Sequence, residues 1–140
     1  MIAVDTSVAI AAFAPWHEHH DAARAAMGRR PYLPEHCALE VYATLTRLPE
    51  PFRAPPVIVS EYLARRFRDR RLQPAAGDVV RLPSELAALG IIGGSTYDAL
   101  VAVTARGHGT TLRTLDTRAE PIYRSLGVDY ELVIEGRPIG

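Results

Sequence analysis

Four carboxylates stand at positions where the surrounding residues predict burial or a special backbone role. Asp5 directly follows a short apolar run that can form a buried strand, and Asp116 directly follows a second, β-favouring run. Glu40 and Asp98 each lie beside apolar residues spaced for the inward face of a helix. Acids that converge in this way repel one another and need a counter-charge, which one or two divalent cations would supply.

The donor atoms of such a site indicate the kind of cation and the kind of reaction. Ligation by oxygen alone, without thiolate or imidazole, selects hard ions such as Mg²⁺ or Mn²⁺ over zinc. In a two-ion site, with the ions about 4 Å apart, one ion generates hydroxide from water and the other stabilises the leaving oxygen of a phosphodiester. The four acids therefore predict metal-dependent phosphodiester chemistry in which no protein nucleophile is needed.

Each acid also has an ordinary structural interpretation when it is considered alone. Asp5 and Asp116 each precede a predicted helix, where aspartate is a common N-cap. Glu40 fits the rim of a helix, with its stem over apolar surface and its carboxylate in water. Asp98 lies three residues after Ser95, the spacing of a capping box. These alternatives stay open for the single residues, and only convergence of the four favours a site.

Strands and helices alternate along the chain, and this order determines where the acids meet. Strands are predicted around residues 1–4, 31–34, 110–115 and 128–134, with a short extended piece around residues 72–74. Helices are predicted over residues 6–14, 17–27, 35–48, 57–70, 77–88, 95–106 and 118–126. No hairpin turn signal separates the strands, so the pattern predicts an α/β fold, a single-domain α/β/α sandwich with a central, mainly parallel sheet over residues 1–140. The carboxyl ends of parallel strands share one edge, which brings Asp5 and Asp116 together near the helices that carry Glu40 and Asp98.

Composition narrows the class of protein but not its reaction. The 140 residues carry sixteen acidic and sixteen basic side chains, and every basic residue is arginine. The single cysteine, Cys37, excludes an intrachain disulfide and a cysteine-rich zinc site. No basic-then-apolar leader and no apolar run of about 18 residues is present, so the expected location is the cytoplasm, without a membrane partner.

Four segments, taken in order and spacing, resemble the motifs of PIN-domain ribonucleases, and most closely the VapC-type toxins among them. They are residues 4–7, Glu40 within its apolar helix, residues 97–100 and residues 114–119. The resemblance covers essentially the whole chain. It implies a PIN-like fold and a Mg²⁺- or Mn²⁺-dependent endoribonuclease, the toxin of a type II toxin–antitoxin pair. It also implies RNA as substrate, a small cognate antitoxin protein as partner, and a homodimer.

The resemblance further implies a role for each matching residue. Asp5 and Asp98 would be the main metal ligands, and Glu40 and Asp116 would complete the acidic pocket directly or through water. The residues implied to support them carry hydroxyls, Thr6 and Thr114. Some relatives have a further acid soon after the fourth motif, but Ala119 stands in that region here and only Glu120 is near. Whether one or two ions bind therefore stays open.

Two other functions compete with this interpretation. A PIN-like module that has lost catalysis would bind RNA or a protein partner without needing a metal. A phosphatase of the haloacid-dehalogenase type also begins with a strand and an aspartate. It normally has a second acid two residues later to protonate the leaving group, and that position is Ser7 here.

Arginines supply the positive charge that could meet RNA or an antitoxin. Residues 65–71 contain five arginines, more than a helix end requires, although a solvated helix end remains the simpler interpretation. Two further arginines are expected near the acidic pocket. The candidates for RNA-backbone or antitoxin contact are Arg65, Arg66, Arg68, Arg70, Arg71, Arg113 and Arg118.

Two more segments have a preferred structural interpretation and a functional alternative. Residues 16–21 are rich in histidine and acids but do not match the H-E-x-x-H spacing, because His20 falls one residue too early. We interpret them as a solvated helix start, with a rim that touches RNA or a partner as the alternative. Residues 49–56 are a proline-rich connection, with part of an antitoxin groove near Phe52 as its alternative.

Overall fold

Short strands alternate with helices throughout the computed structural model, which describes residues 1–133. The strands are β1 (Ile2–Val4), β2 (Leu33–Pro34), β3 (Arg71–Leu72), β4 (Thr111–Thr114) and β5 (Tyr130–Leu132). The helices are α1 (Thr6–Phe13), α2 (His20–Met27), α3 (Glu35–Arg47), α4 (Pro56–Arg66), α5 (Ala76–Leu89), α6 (Ser95–Gly107) and α7 (Glu120–Ser125). None of these helices is both long enough and apolar enough to cross a membrane.

All strand pairs in this region are parallel, as predicted. β4 lies between β1 and β5, and β2 pairs with β3. A parallel bridge between Ala3 and Tyr32 joins the two groups, with Val4 N donating to Tyr32 O at 2.9 Å. The resulting order is β3-β2-β1-β4-β5, so the carboxyl ends of all strands lie along one edge.

The core lies between this sheet and the helices that cover it. Val4 of β1 and Leu112 of β4 are fully buried, and α1 and α6 both contact β4. Phe67 and Tyr123 are the largest side chains that are almost completely buried. This three-layer arrangement confirms the predicted α/β/α class.

Three predicted helix boundaries are wrong, each because the chain turns at that point. α2 begins at His20, since residues 15–19 form turns and bends after α1. α4 ends at Arg66, and Phe67 then leaves the helical path to enter the core. α7 begins at Glu120, after a turn that follows Asp116. β5 ends at Leu132. The predicted strand 128–134 is therefore too long at both ends, since residues 128, 129 and 133 lie outside β5. Ile134 and the last part of the predicted single domain lie outside the described residues.

We expect Leu112→Ala to lower the free energy of unfolding by about 3 kcal/mol, because it leaves a cavity in the central strand of the sheet. Denaturant unfolding followed by circular dichroism measures the change. Val57→Ala is the control, since Val57 is exposed on α4, and its effect should stay within about 0.5 kcal/mol. Equal effects of the two substitutions would contradict the assignment of Leu112 to the core.

Candidate active site

Asp5 lies where β1 ends and α1 begins, and its carboxylate is almost completely buried. Its Oδ1 accepts hydrogen bonds from Ser7 N at 3.0 Å, Val8 N at 3.3 Å and Ser7 Oγ at 2.5 Å. Its Oδ2 accepts a hydrogen bond from the Tyr123 hydroxyl at 2.8 Å. Asp5 is therefore the N-cap of α1, as the structural alternative proposed. The cap does not exclude a site, because the same carboxylate also lines a pocket.

The pocket, of about 170 Å³, brings together all four acids singled out in the sequence. Its lining consists of Asp5, Thr6, Ser7, Cys37, Glu40, Asp98, Val101, Asp116 and Tyr123. It opens at the carboxyl edge of the sheet, where Asp5 follows β1 and Asp116 lies two residues beyond β4. The four carboxylates thus come from two strand ends and from two helices, α3 and α6.

Glu40 is half-buried on α3, and both of its described contacts hold the same oxygen. The Thr6 hydroxyl donates to Oε1 at 3.2 Å, and His36 Nε2 lies 3.5 Å from it. The inward face of α3 is buried at Cys37, Val41 and Leu45. Glu40 lies at the edge of that face and lines the pocket.

Asp116 is held in a turn rather than at a helix start. Its Oδ1 accepts a hydrogen bond from Arg118 N at 2.9 Å, while α7 begins later, with Ala119 as its N-cap residue. The interpretation of Asp116 as the N-cap of that helix is therefore wrong. Thr114 Oγ1 accepts a hydrogen bond from Asp116 N at 3.0 Å, so this hydroxyl helps to shape the turn.

Asp98 accepts no hydrogen bond from any residue in the 1–133 range, and the capping-box interpretation is also wrong. The N-cap of α6 is Gly94, and no side chain caps that helix end. Burial raises the pKa of Asp98 to about 6, and the charges of Asp116, Glu40 and Asp5 add to the rise. The carboxylate of Asp98 therefore faces the negative charge of the other three acids.

Other groups around the pocket respond to the same burial and the same charge. Burial raises the pKa of Asp5, although its hydrogen bonds act in the opposite direction. Burial, and then the charge of Asp5, raise the pKa of the Cys37 thiol and of the Tyr123 hydroxyl. Cys37 therefore stays protonated and is not a nucleophile.

The chemistry of the donor set fits a hard divalent cation. Four carboxylates line one small pocket, and Arg118 is the cation that lowers the pKa of Asp98. As the side chains stand, no three His, Cys, Asp or Glu side chains among the described residues surround a common ion position. The fit therefore rests on charge and ligand type, with Asp98 the carboxylate least committed to protein donors.

Two residues that position Asp5 were not identified from the sequence. Ser7 Oγ donates to Asp5 and accepts a hydrogen bond from Leu115 N at 2.8 Å, so it links the start of α1 to the end of β4. An aspartate followed two residues later by serine at a helix start was the local signal for this contact. Tyr123 is separated from Asp5 by 118 residues, and nothing local to either residue indicates their hydrogen bond.

The predicted arginine contacts do not share one surface. Arg65, Arg66, Arg68 and Arg70 come before β3, towards the amino ends of the strands and away from the acids. Several of the seven arginines also have structural partners: Arg66 donates to Gly28 O, Arg71 pairs with Glu35, Arg70 stacks on Tyr32, and Arg113 binds Glu131 and Ala26 O. Arg118 is beside the pocket, and its side chain is 94% exposed. Glu120 accepts a hydrogen bond from the Tyr130 hydroxyl and does not line the pocket.

The chain resembles a known domain family and two known ribonucleases. The sequence model of the PIN domain matches residues 2–124 of this chain. Ribonuclease VapC40 of Mycobacterium tuberculosis is 47% identical over 133 residues, which cover 95% of this chain and 99% of that protein. Ribonuclease VapC27 of the same species is 40% identical over 128 residues, which cover 91% and 93% of the two chains.

Solved structures share the fold at much lower identity. The structure of FitAB bound to an IR36 DNA fragment matches with a TM-score of 0.68 at 19% identity, over 93% of both chains. FitAcB from Neisseria gonorrhoeae matches with a TM-score of 0.66 at 21% identity, over 93% of this chain and 96% of that one. At these identities the likeness concerns the fold alone.

We expect Asp98→Asn to stabilise the metal-free protein at neutral pH. The folded-state pKa of about 6 lies above the value of 3.8 for an unperturbed aspartate, so the charged form costs stability as the pH rises through this window. The free energy of unfolding should rise by about 1 kcal/mol near pH 7.5, because solvent screens part of the repulsion at this half-exposed position. The increase should vanish below about pH 4, where Asp98 is protonated in both states.

Denaturant unfolding in EDTA at the two pH values measures this difference. Asp69→Asn is the control, since Asp69 is exposed after α4, and it should show no such pH-dependent gain. An Asp98→Asn variant that is less stable than the parent near pH 7.5 would contradict the repulsion.

Proposed function

The chain belongs to the PIN domain family, with VapC ribonucleases among its relatives, and we propose that it is an endoribonuclease acting as the toxin of a type II toxin–antitoxin pair. One observation carries this proposal. The four acids that match the motifs of the family line a single pocket at the carboxyl edge of the sheet. No described cysteine or lysine nucleophile competes with them, since the single cysteine is buried and the chain has no lysine.

We propose that Mg²⁺ or Mn²⁺ is held mainly by Asp5 and Asp98, with Glu40 and Asp116 acting directly or through water. When bound, such an ion supplies water activation and charge stabilisation for phosphodiester hydrolysis. The donor set supports a hard cation, because all four groups are carboxylates. The raised pKa of Asp98 indicates that its charged form would be favoured by a positive charge placed nearby.

The neighbouring residues hold the acids in place before any ligand arrives. Ser7 and Tyr123 bind the two oxygens of Asp5 from opposite parts of the chain. Thr6 binds Glu40, and Thr114 shapes the turn of Asp116. We assign these four residues a positioning role, because hydrogen bonds of this kind orient metal ligands and tune their basicity.

The proposed partners follow from the same family membership. We propose a small antitoxin protein that inhibits the toxin, and a cytoplasmic location where cellular RNA is the substrate. We also propose a homodimer. Val80 of α5 and Ile92 in the connection that follows are about four-fifths exposed, and a second copy of the chain would cover such apolar side chains.

The two rival functions differ in what they require of the site. In the phosphatase alternative the second position after Asp5 must act as an acid, but the Ser7 hydroxyl is engaged with Asp5 and Leu115. The catalytically silent alternative predicts RNA binding that is indifferent to chelator and to Asp5→Ala. Metal-dependent cleavage of RNA would distinguish an enzyme from this alternative.

We expect the purified protein to cleave RNA in Mg²⁺ or Mn²⁺ and to lose this activity in EDTA. Asp98→Asn should lower the rate at least about 100-fold, because it removes a charged ligand while keeping the shape of the side chain. Asp69→Asn is the matched control and should retain the parental rate. Activity that survives Asp98→Asn would refute the site, and the absence of any metal-dependent cleavage would refute the enzyme.

Induced expression extends this test to cells. Wild type should arrest growth and leave discrete new 5′ ends in cellular RNA, whereas Asp5→Ala should do neither. Mapping of these ends by sequencing identifies the cleaved RNA. Arrest by both proteins, with no new ends, would indicate an effect other than RNA cleavage.

We expect Tyr123→Phe to weaken Mn²⁺ binding and to lower the cleavage rate by about 10-fold, because it removes the hydroxyl that donates to Asp5. Calorimetry measures the affinity, and single-turnover cleavage measures the rate. Tyr130→Phe is the matched control, since its hydroxyl contacts Glu120 and Arg124 instead. Unchanged affinity and rate in Tyr123→Phe would show that the contact with Asp5 has no positioning role.

A further inference from the structure

A row of aromatic rings runs along the surface through the segment between α1 and α2. The rings of Phe52 and Trp16 lie 4.9 Å apart, those of Trp16 and His17 lie 6.0 Å apart, and those of His17 and His19 lie 5.8 Å apart. The sequence pattern assigned residues 16–19 to a solvated helix start. They form turns and a bend instead, and the rings of Trp16, His17 and His19 lie next to one another along this segment.

The outer half of this row is open to solvent. Trp16 is 47% exposed and Phe52 is 45% exposed, although both are large and apolar. The two rings pack on each other at an interplanar angle of 53°. A contiguous pair of exposed aromatic rings is typical of a binding surface rather than of a scattered apolar residue.

The inner half of the row opens onto the acidic pocket. His17 and His19 line a groove of about 390 Å³ together with Ser7 and Asp116, two residues that also line the pocket. The other residues that line the groove are Ile10, Glu18, Leu115 and Arg118. A ligand that lies beside His17 and His19 in this groove therefore also adjoins Ser7 and Asp116 of the acidic pocket.

The charges along the groove are mixed. Arg118 places an almost fully exposed guanidinium beside Asp116, at the junction of the groove and the pocket. Glu18 is the one acid of the groove outside the pocket, and its side chain is 83% exposed and 3.5 Å from His19. A phosphate can therefore be bound at Arg118.

We propose that Phe52, Trp16, His17 and His19 form an aromatic track on which unpaired bases of the RNA substrate stack, and that Arg118 binds a phosphate where the strand enters the acidic pocket. Bases of single-stranded RNA stack on aromatic side chains regardless of their identity, because every base has a π-face. The proposal rests on the proposed function, for which it names the form of the substrate: RNA that is single-stranded over a few nucleotides beside the cleaved bond.

RNA fits this surface better than a protein segment does. An apolar peptide needs a groove that encloses its side chains, whereas Trp16 and Phe52 lie half-exposed at the surface. The inner end leads directly to the candidate catalytic acids, which a substrate must reach. The antitoxin is the competing occupant, and binding measurements on variants separate it from RNA.

Trp16 is the only tryptophan of the chain, so its fluorescence reports on the track directly. We expect titration with an unlabelled single-stranded octaribonucleotide in EDTA to quench this fluorescence, and the same sequence in a duplex to quench it far less. Anisotropy of a labelled copy gives the binding curve independently. Saturated binding without a change in tryptophan fluorescence would overturn the proposal. The titration needs no catalysis, so it tests the track even if the proposed ribonuclease activity fails.

Kinetics of variants test the consequence for the substrate. We expect Trp16→Leu and Phe52→Leu each to raise KM for single-stranded RNA by about five-fold or more, with kcat little changed. Trp16→Phe keeps an aromatic ring, so its KM should stay close to that of wild type. Tyr42→Leu is the matched control, since Tyr42 is an exposed aromatic residue on α3 outside the track. A KM equal to that of wild type in both leucine variants would overturn the track while leaving the ribonuclease activity intact.

A final measurement separates RNA from the antitoxin. Affinity of the cognate antitoxin for Trp16→Leu and Phe52→Leu should stay close to that of wild type. If instead both variants bind RNA normally and lose antitoxin affinity, the aromatic residues are a protein interface and the proposal is wrong.

Discussion

Mutual repulsion among four carboxylates at one edge of a parallel sheet is the constraint on which the rest of the structure depends. The pocket keeps the acids close, because two of them follow strand ends and two project from helices that pack beside those ends. Burial raises the pKa of Asp98 to about 6, and the charges of the other three acids add to the rise. The fold therefore has to supply hydrogen bonds that hold these charges in place without neutralising them.

Asp5 shows how the fold meets this requirement. Its carboxylate caps α1 through two backbone N–H groups and accepts two hydroxyl hydrogen bonds, from Ser7 and Tyr123. One residue thus contributes to secondary structure, tertiary structure and the candidate site. Asp98 is the opposite case, because it lies in the pocket without a donor from the described residues. The site therefore combines one rigid acid with one that is free to respond to a ligand.

Features that depend on local pattern were predictable, and features that depend on distant contacts were not. The alternation of strands and helices, together with acids at strand ends, predicted the parallel sheet and the meeting of Asp5 with Asp116. The start of α2 was placed three residues too early, because helix-compatible histidines and acids do not reveal that His17 bonds to His19 in a turn. The contact between Tyr123 and Asp5 joins two segments that share no sequence signal.

The pairing of β1 with β4 has a consequence for synthesis of the protein. Ile2 of β1 is in register with Thr111 of β4. The ribosome therefore adds more than a hundred residues after β1 before it synthesises β4. At about 5–20 residues per second, this delay lasts roughly 5–20 seconds on the ribosome. The hydroxyl of Tyr123 reaches Asp5 later still. A nascent chain therefore lacks the hydroxyl that holds Oδ2 of Asp5 until Tyr123 has been synthesised.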